Sequence, residues 1–161
     1  LEQYGGHMAA AGLSLKKENL EKFKTAFEAA VASTILPDQL IPAIDVDAEI
    51  TLEEINQKMY GILQRFQPFG PGNMAPIFVS KEVSDSGYGK VVLKNHLKIT
   101  VTHPRGPYSG FGCIGFNLGD KVGLAGKGKM MEVAYTIEEN EFNGRVSLQL
   151  NLKDIRSLSV L

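Results

Sequence analysis

Five stretches of alternating apolar and polar residues fill the second half of this chain, and they strongly limit what it can fold into. The alternation is clearest where Leu97, Ile99 and Val101 are separated by polar residues, because successive side chains of a strand point to opposite faces of a sheet. Asn143-Gly144 separates the last two stretches and predicts a two-residue hairpin turn, since both residues tolerate positive φ. The predicted strands are residues 77–88, 96–103, 108–116, 131–138 and 145–155.

Five short strands with one apolar face each predict a small barrel. A five-stranded Greek-key barrel is the oligonucleotide/oligosaccharide-binding (OB) architecture, which binds ligands across its second and third strands and the flanking loops. The pattern alone also leaves an SH3-like barrel open.

The first half has a different periodicity. Apolar residues recur every three or four positions over residues 16–35 and predict a helix, and alternation over 43–50 predicts a strand. Thr51 and Glu54 form a capping-box pattern at the start of a second helix that ends near Gln67. We therefore predict an α+β chain, with a partial α/β segment (strand-helix-strand-helix) followed by a five-stranded antiparallel OB-like barrel. The predicted domain boundaries are 1–36, 37–76 and 77–161.

Length and composition favour a soluble protein of the cytoplasm. No apolar run approaches the roughly 20 residues that span a bilayer, and no leader with a cleavage site is present, so we expect no membrane partner. Cys113 is the only cysteine, which excludes an internal disulfide and fits a small buried strand residue. Because the chain opens on Leu1, we expect it to be a piece of a longer protein.

The net charge of −1 conceals an asymmetry. Residues 1–76 carry six basic and ten acidic side chains, a net charge of −4, whereas residues 77–161 carry eleven and eight, a net charge of +3. Between residues 87 and 131, seven basic side chains stand against Asp120 alone, a net charge of +6. The positive charge is thus concentrated on the middle strands and loops, where an OB barrel holds nucleic acid.

Lysines that follow phosphates and rings that stack on bases are the residue types that single-strand binding requires. Tyr88, Tyr108 and Phe111 are the best-placed rings; the alternative is a solvated lysine-rich surface with Tyr108 and Phe111 in the core. The predicted nucleic-acid-binding residues are Lys90, Lys94, Lys98, Arg105, Tyr108, Lys127 and Lys129.

A second candidate site lies at Gly5-Gly6-His7, ahead of a run of small residues that ends in Gly12. Glycine lets backbone amides approach an anion, and an imidazole can donate to a phosphate oxygen, so we predict phosphate binding by Gly5, Gly6 and His7. The alternative is a tight turn.

Two other patterns are weaker. Residues 123–130 resemble a phosphate-binding loop, but Met130 replaces the hydroxyl that binds magnesium, and a strand follows where that motif needs a helix. Asp45, Asp47 and Glu49 lie two apart, which fits an exposed acidic strand face better than a cation site. We predict no metal and no cofactor on this chain.

The Gly5-Gly6-His7 motif, with Ala10-Ala11-Gly12 just ahead of a helix, resembles the closing motif of the DHH-associated domain of DHH-family phosphoesterases. Four further stretches look like the C-terminal part of the RecJ family of single-strand-specific exonucleases, so the resemblance covers nearly the whole chain. They are residues 68–78 (PFGPGNMAPIF), 95–98 (NHLK), 140–144 (NEFNG) and 149–156 (QLNLKDIR).

The resemblance implies a parent enzyme that degrades single-stranded DNA from its five-prime end in repair and recombination, with manganese or magnesium bound in a DHH domain absent from this chain. We therefore expect the chain alone to be inactive. Gly5, Gly6 and His7 would hold phosphates across the cleft, with His7 positioning the scissile phosphate, and the barrel would guide the strand. The implied partners are single-stranded DNA and single-strand-binding or other repair proteins. The alternatives are a non-catalytic module that docks a replication or repair protein and, less favoured, an RNA-binding barrel.

Overall fold

The computed structural model describes residues 1–104, 106 and 110–158, which contain nine strands and two α-helices. The strands are β1 Gln3–His7, β2 Ala10–Ser14, β3 Ala48–Glu49, β4 Phe78–Asp85, β5 Lys90–Val92, β6 His96–Thr102, β7 Phe111–Gly115, β8 Met131–Phe142 and β9 Arg145–Ser157; the helices are α1 Leu20–Thr34 and α2 Gln57–Leu63. The chain forms two compact units, Leu1–Ala43 and Ile44–Leu161. The division at residues 36 and 76 stays a prediction.

The first unit is an antiparallel hairpin followed by a helix. β1 pairs with β2, and α1 follows a single 3-10 turn at Lys17–Asn19, so the helix begins later than the predicted residue 16. Phe23 and Phe27 stack along the apolar stripe of α1, with ring centroids 5.6 Å apart. No residue of this unit is buried, because a hairpin and one helix cannot enclose a core.

The strand predicted over residues 43–50 is much shorter. Only Ala48–Glu49 pairs with β4, and the pairing is parallel. Just before it, the backbone N–H of Asp47 donates to Ile77 O, and the Asp47 carboxylate accepts from Ile77 N at 2.8 Å. In a regular ladder the N–H of Ile77 would donate to a backbone carbonyl. Here it donates to the Asp47 side chain, and the strand does not extend.

The second predicted helix is interrupted near its start. Thr51 and Glu54 form the expected capping box, with Thr51 N donating to the Glu54 carboxylate at 2.7 Å, but it caps a 3-10 turn at Leu52–Glu54. Asn56 then adopts an extended conformation, and its side chain accepts from Met59 N to begin α2. The second cap explains why one predicted helix is divided.

All five predicted strands are present as β4, β6, β7, β8 and β9, and they close into a barrel. Around it the order is β4, β8, β9, β7 and β6, and β4 pairs again with β6. The prediction of five antiparallel strands was wrong in two respects. β3 and β5 extend the sheet to seven strands, and the β7–β9 and β3–β4 pairs are parallel. A closed ring with an odd number of strands cannot alternate direction throughout, so at least one pair must be parallel.

The inward faces of the barrel strands form the core. Leu97, Ile99 and Val101 are buried as the alternation predicted, and Cys113 is fully enclosed, where burial raises the pKa of its thiol to about 12. Tyr135 is also fully buried, and its hydroxyl lies 2.7 Å from Ser80 Oγ. Burial raises the pKa of Tyr135 to about 12. Core polar groups are thus paired across β4 and β8.

The β8–β9 hairpin turns at Asn143 and Gly144, whose φ values of 51° and 71° confirm the predicted turn. Among the described residues, neither helix is long and apolar enough to cross a membrane.

Candidate nucleic-acid interface

Two lysines face each other on the outer surface of the barrel. Lys90 of β5 lies directly opposite Lys98 of β6 in an antiparallel pair. Both neighbours of Lys98 are buried, so its own side chain points outward. Directly opposed like charges destabilise a strand pair. Within the described ranges neither ammonium has an ion pair or a hydrogen bond. The pair therefore holds positive charge that a bound polyanion would neutralise.

This surface continues across the next strands with few obstructions. Lys98 is opposite Ile114 of β7, and Ile114 is opposite Asn151 of β9. One step along, Thr100 is opposite Gly112. Apart from the lysines, these outward residues are small or uncharged, so the middle of the barrel presents a surface open to an extended strand.

The loop that leads into β5 is held by a buried carboxylate. Asp85, at the end of β4, is 2% exposed, and its two oxygens accept from Gly87 N, Gly89 N and Thr100 N at 2.9–3.0 Å. A Cβ at Gly89 would lie 3.0 Å from the Asp85 carboxylate, so only glycine fits there without a shift. Asp85 thus fixes residues 86–89, which carry the 84%-exposed ring of Tyr88, against β6. Sequence reasoning missed this role, because an aspartate at the end of a strand usually indicates only a turn.

A pair of rings lies on the same side of β6 as the lysines. His96 is two residues before Lys98, and its ring meets Phe116 edge-to-face with centroids 5.2 Å apart. His96 Nδ1 accepts from Asn117 N at 3.1 Å, which leaves Nε2 as the donor of the neutral ring. Phe116, directly after β7, is 55% exposed. The sequence carries one signal for this pair that was missed: Phe116 lies three positions after the inward Cys113 and therefore has outward parity.

The other predicted lysines are less closely grouped. Lys94 is exposed in the β5–β6 turn at φ +73°, and Lys127 lies against the 86–89 loop, where a Cβ at Gly87 would be 3.4 Å from its Cβ. Lys129 Nζ donates to Gly123 O at 2.7 Å, so part of its hydrogen-bonding capacity is already used. The structure brings Lys90 and Lys98 together and places Lys127 at the adjoining loop.

Three ring or charge predictions need separate mention. Arg105 and Tyr108 lie outside the described residues. Phe111 is opposite Val101 and is partly buried against the core, which favours the core alternative over stacking on bases.

The outer end of the β8–β9 hairpin has a different character. Glu138 accepts from Asn151 Nδ2 at 2.7 Å, and Glu139 and Glu141 are exposed farther along the hairpin. Near the turn, Phe142 is opposite Arg145, and its ring is 70% exposed. This end is acidic and apolar, and it does not continue the basic surface.

The Gly-Gly-His motif forms part of β1 and not a loop. Gly5 is opposite Gly12, and a Cβ on either would meet open space, whereas a Cβ on Gly6 would lie 2.6 Å from Ala10 O. His7 is exposed at the turn, and its Nδ1 accepts from Ala9 N at 3.2 Å. The hairpin itself therefore requires Gly6, while Gly5 and Gly12 leave an uncovered stretch of backbone.

The acidic residues between α1 and β4 mainly stabilise the fold. Asp47 binds the Ile77 backbone, and Glu49 forms an ion pair with Lys81 at 2.6 Å, which raises the pKa of that lysine. Among the described residues, no three acidic, histidine or cysteine side chains come together as a metal site would require. The phosphate-loop resemblance at residues 123–130 is excluded by the strand β8 that follows at Met131.

Comparison with known proteins gives consistent matches. The family model of the RecJ OB domain matches residues 46–154. The single-stranded-DNA-specific exonuclease RecJ of Haemophilus influenzae is 31% identical over 150 residues, which cover 92% of this chain and 26% of that protein. The same-named protein of Bacillus subtilis is 28% identical over 155 residues, which cover 96% of this chain and 19% of that protein.

A crystal structure of RecJ from Thermus thermophilus in complex with Mn²⁺ has the same fold, with a TM-score of 0.69 at 21% sequence identity, and covers all of this chain and 22% of that one. A second structure, in complex with Mg²⁺, gives a TM-score of 0.68. This chain spans about a fifth to a quarter of the length of the curated relatives that it matches. Because the family model covers more than half of the chain, the chain belongs to the RecJ family and contains its OB domain.

Proposed function

We propose that this chain is the strand-holding part of a metal-dependent exonuclease specific for single-stranded DNA, acting from the five-prime end in DNA repair and recombination. The observation that carries the proposal is the Lys90–Lys98 pair on the outer face of an OB barrel, for which the described residues provide no acidic partner. The names of the relatives support the substrate class. In this proposal DNA crosses β5, β6 and β7, and Lys94, Lys127 and Lys129 contribute from the adjoining loops. Arg105 and Tyr108 keep their proposed roles in DNA binding. The protein works in the cytoplasm.

The second element of the proposal is the hairpin motif. Gly5 and Gly6 bring backbone close to a phosphate, and His7, with Nδ1 occupied by Ala9 N, offers Nε2–H to a phosphate oxygen. In the complete exonuclease His7 would position the scissile phosphate by a directed hydrogen bond, a kind of electrostatic assistance that does not require this chain to bind metal. The parent enzyme would use manganese or magnesium, as the ions in the two Thermus structures support. The described residues of this chain do not fit such an ion, so we assign it to no residue here.

Binding to the barrel is tested by fluorescence anisotropy of a labelled oligodeoxythymidylate, with a duplex of the same length for comparison, across a salt series. Log affinity should fall with log salt by about 0.7 for each phosphate contacted. Lys98→Gln should weaken binding and reduce that slope by about 0.7. Lys58→Gln is the matched control, because Lys58 is an exposed lysine of α2. Equal affinities of the Lys98 and Lys58 variants at all salt concentrations would contradict the proposal.

The hairpin is tested in the complete exonuclease. His7→Ala should lower kcat on a single-stranded oligonucleotide and leave the anisotropy-measured affinity of the barrel unchanged. Met8→Ala, in the same turn and fully exposed, is the control. The 161-residue chain alone, with Mn²⁺ or Mg²⁺ added, should release no nucleotides. Measurable release would contradict the proposal that this chain holds DNA and that cleavage occurs elsewhere in the complete exonuclease.

A second function is favoured by the end of the β8–β9 hairpin. Its exposed Phe142 and Val146, flanked by glutamates, fit a protein partner better than a polyanion. If the barrel is a docking module for a replication or repair protein, such as a single-strand-binding protein, the chain will bind that protein and show little affinity for oligonucleotides.

A further inference from the structure

We infer that Phe116, held by His96, is a stacking subsite for one unpaired nucleobase, and that it gives the barrel a preference for single strands over duplex. The inference rests on the proposed function, because it specifies which part of a bound strand meets this end of the lysine surface.

The ring of Phe116 faces solvent and does not pack in the core. Phe116 is 55% exposed, although the residue just before it, Gly115 at the end of β7, is buried. His96 supports it edge-to-face, and a backbone N–H from Asn117 fixes the imidazole in place. The open aromatic surface is therefore held in one orientation before any ligand arrives, which lowers the entropic cost of stacking on it.

Its position suits one nucleotide of a strand bound at the lysines. His96 and Lys98 are two residues apart on the same face of β6, which places their Cα atoms about 6.8 Å apart. Lys90 faces Lys98 directly, so both ammonium groups belong to the same end of the surface. A base lying on Phe116 would have its phosphate within reach of these lysines, whereas duplex DNA keeps its bases stacked inside and cannot offer one to the ring.

The test compares two probes on the 161-residue chain: an oligodeoxythymidylate and an oligomer of equal length whose nucleotides are abasic. Phe116→Ala should weaken binding of the thymidylate about tenfold and leave the abasic probe unchanged. Phe116→Trp should restore the affinity. Phe66→Ala is the matched control, because Phe66 is a similarly exposed phenylalanine of the same unit, next to α2. Salt slopes should be equal for all these variants, because no phosphate contact is removed.

A second readout does not depend on affinity. An oligonucleotide with one 2-aminopurine should lose fluorescence on binding as the base stacks, and Phe116→Leu, which keeps an apolar side chain, should abolish the loss. The inference is overturned if Phe116→Ala weakens both probes equally or neither, while Lys98→Gln still weakens both; the proposed function would then stand. If the unmodified chain binds no single strand at low salt, the proposed function fails together with the subsite.

Discussion

Replacing Asp85 by alanine should destabilise the barrel more than any other single loss of a carboxylate in the described chain. Its side chain is buried and accepts three backbone N–H groups, from Gly87, Gly89 and Thr100. The variant would leave all three donors without an acceptor. Hydrogen bonds to a charged group contribute roughly 1.5–3 kcal/mol each. Since burying the carboxylate itself costs part of that gain, we expect a net loss of about 3–5 kcal/mol.

The assay is urea unfolding of the 161-residue chain followed by circular dichroism. With a slope of about 1.5 kcal/mol per molar, the expected loss moves the midpoint down by about 2–3 M. Asp120→Ala removes the same charge from an exposed position with no hydrogen bond among the described residues, and it should move the midpoint very little. The reasoning is refuted if the two variants unfold together, or if Asp85→Ala loses less than about 1 kcal/mol.

Three further outcomes follow from the geometry. Stability should fall as pH rises above 9, and more steeply above 10. The folded state keeps the protons of Cys113 and Tyr135 up to about pH 12, whereas the unfolded chain releases them near pH 9.0 and 10.0. Cys113→Ala should remove the part of the loss that starts at pH 9, which urea midpoints measured across the pH series will show. Gly6→Ala should disrupt the β1–β2 hairpin, since its Cβ would lie 2.6 Å from a carbonyl oxygen, whereas Gly5→Ala should preserve the cross-strand nuclear Overhauser effects. Amide protons of α1 should exchange with solvent much faster than those of β6 and β9, because no residue of the first unit is buried; equal protection by hydrogen-exchange mass spectrometry would contradict this.

The strands of the barrel were predictable from the sequence because each carries a local signal. Leu97, Ile99 and Val101 alternate with polar residues, and Asn143-Gly144 has one dominant use in a hairpin. The pairing partners were not predictable in the same way, because the direction of β9 against β7 depends on closing an odd ring and not on any local pattern. Asp47 similarly shortened β3 through a contact with Ile77, thirty residues away in the chain.

The candidate site was predictable in composition and only partly in arrangement. The excess of lysine over residues 87–131 indicated a basic surface, but only the register of β5 against β6 shows that Lys90 and Lys98 face each other. Phe111 illustrates the limit, since its residue type suits stacking and its parity places it in the core. Gly6 likewise fits a phosphate motif, yet hairpin packing alone is a sufficient reason for a glycine there, so its presence does not distinguish the two explanations.

The net charge of −1 does not argue against nucleic-acid binding, because dissolved salt screens the interactions between distant charges. The register across the sheet runs from Lys98 through Ile114 to Asn151 of β9. Glu139 and Glu141 pair with β9 residues that are three and five positions from Asn151, about 10 and 17 Å along the strand. Interactions between exposed charges more than about 8 Å apart are largely screened at physiological ionic strength. Glu138 is nearer to the lysines, because it accepts from Asn151 itself, whereas Glu139 and Glu141 have little effect on a strand bound at Lys90 and Lys98. A strand displaced toward the hairpin tip is repelled. The two ends of the same sheet thus confine a bound polyanion to β5, β6 and β7. It follows that Glu139→Gln together with Glu141→Gln should leave affinity at 150 mM salt nearly unchanged and raise it only when salt is lowered.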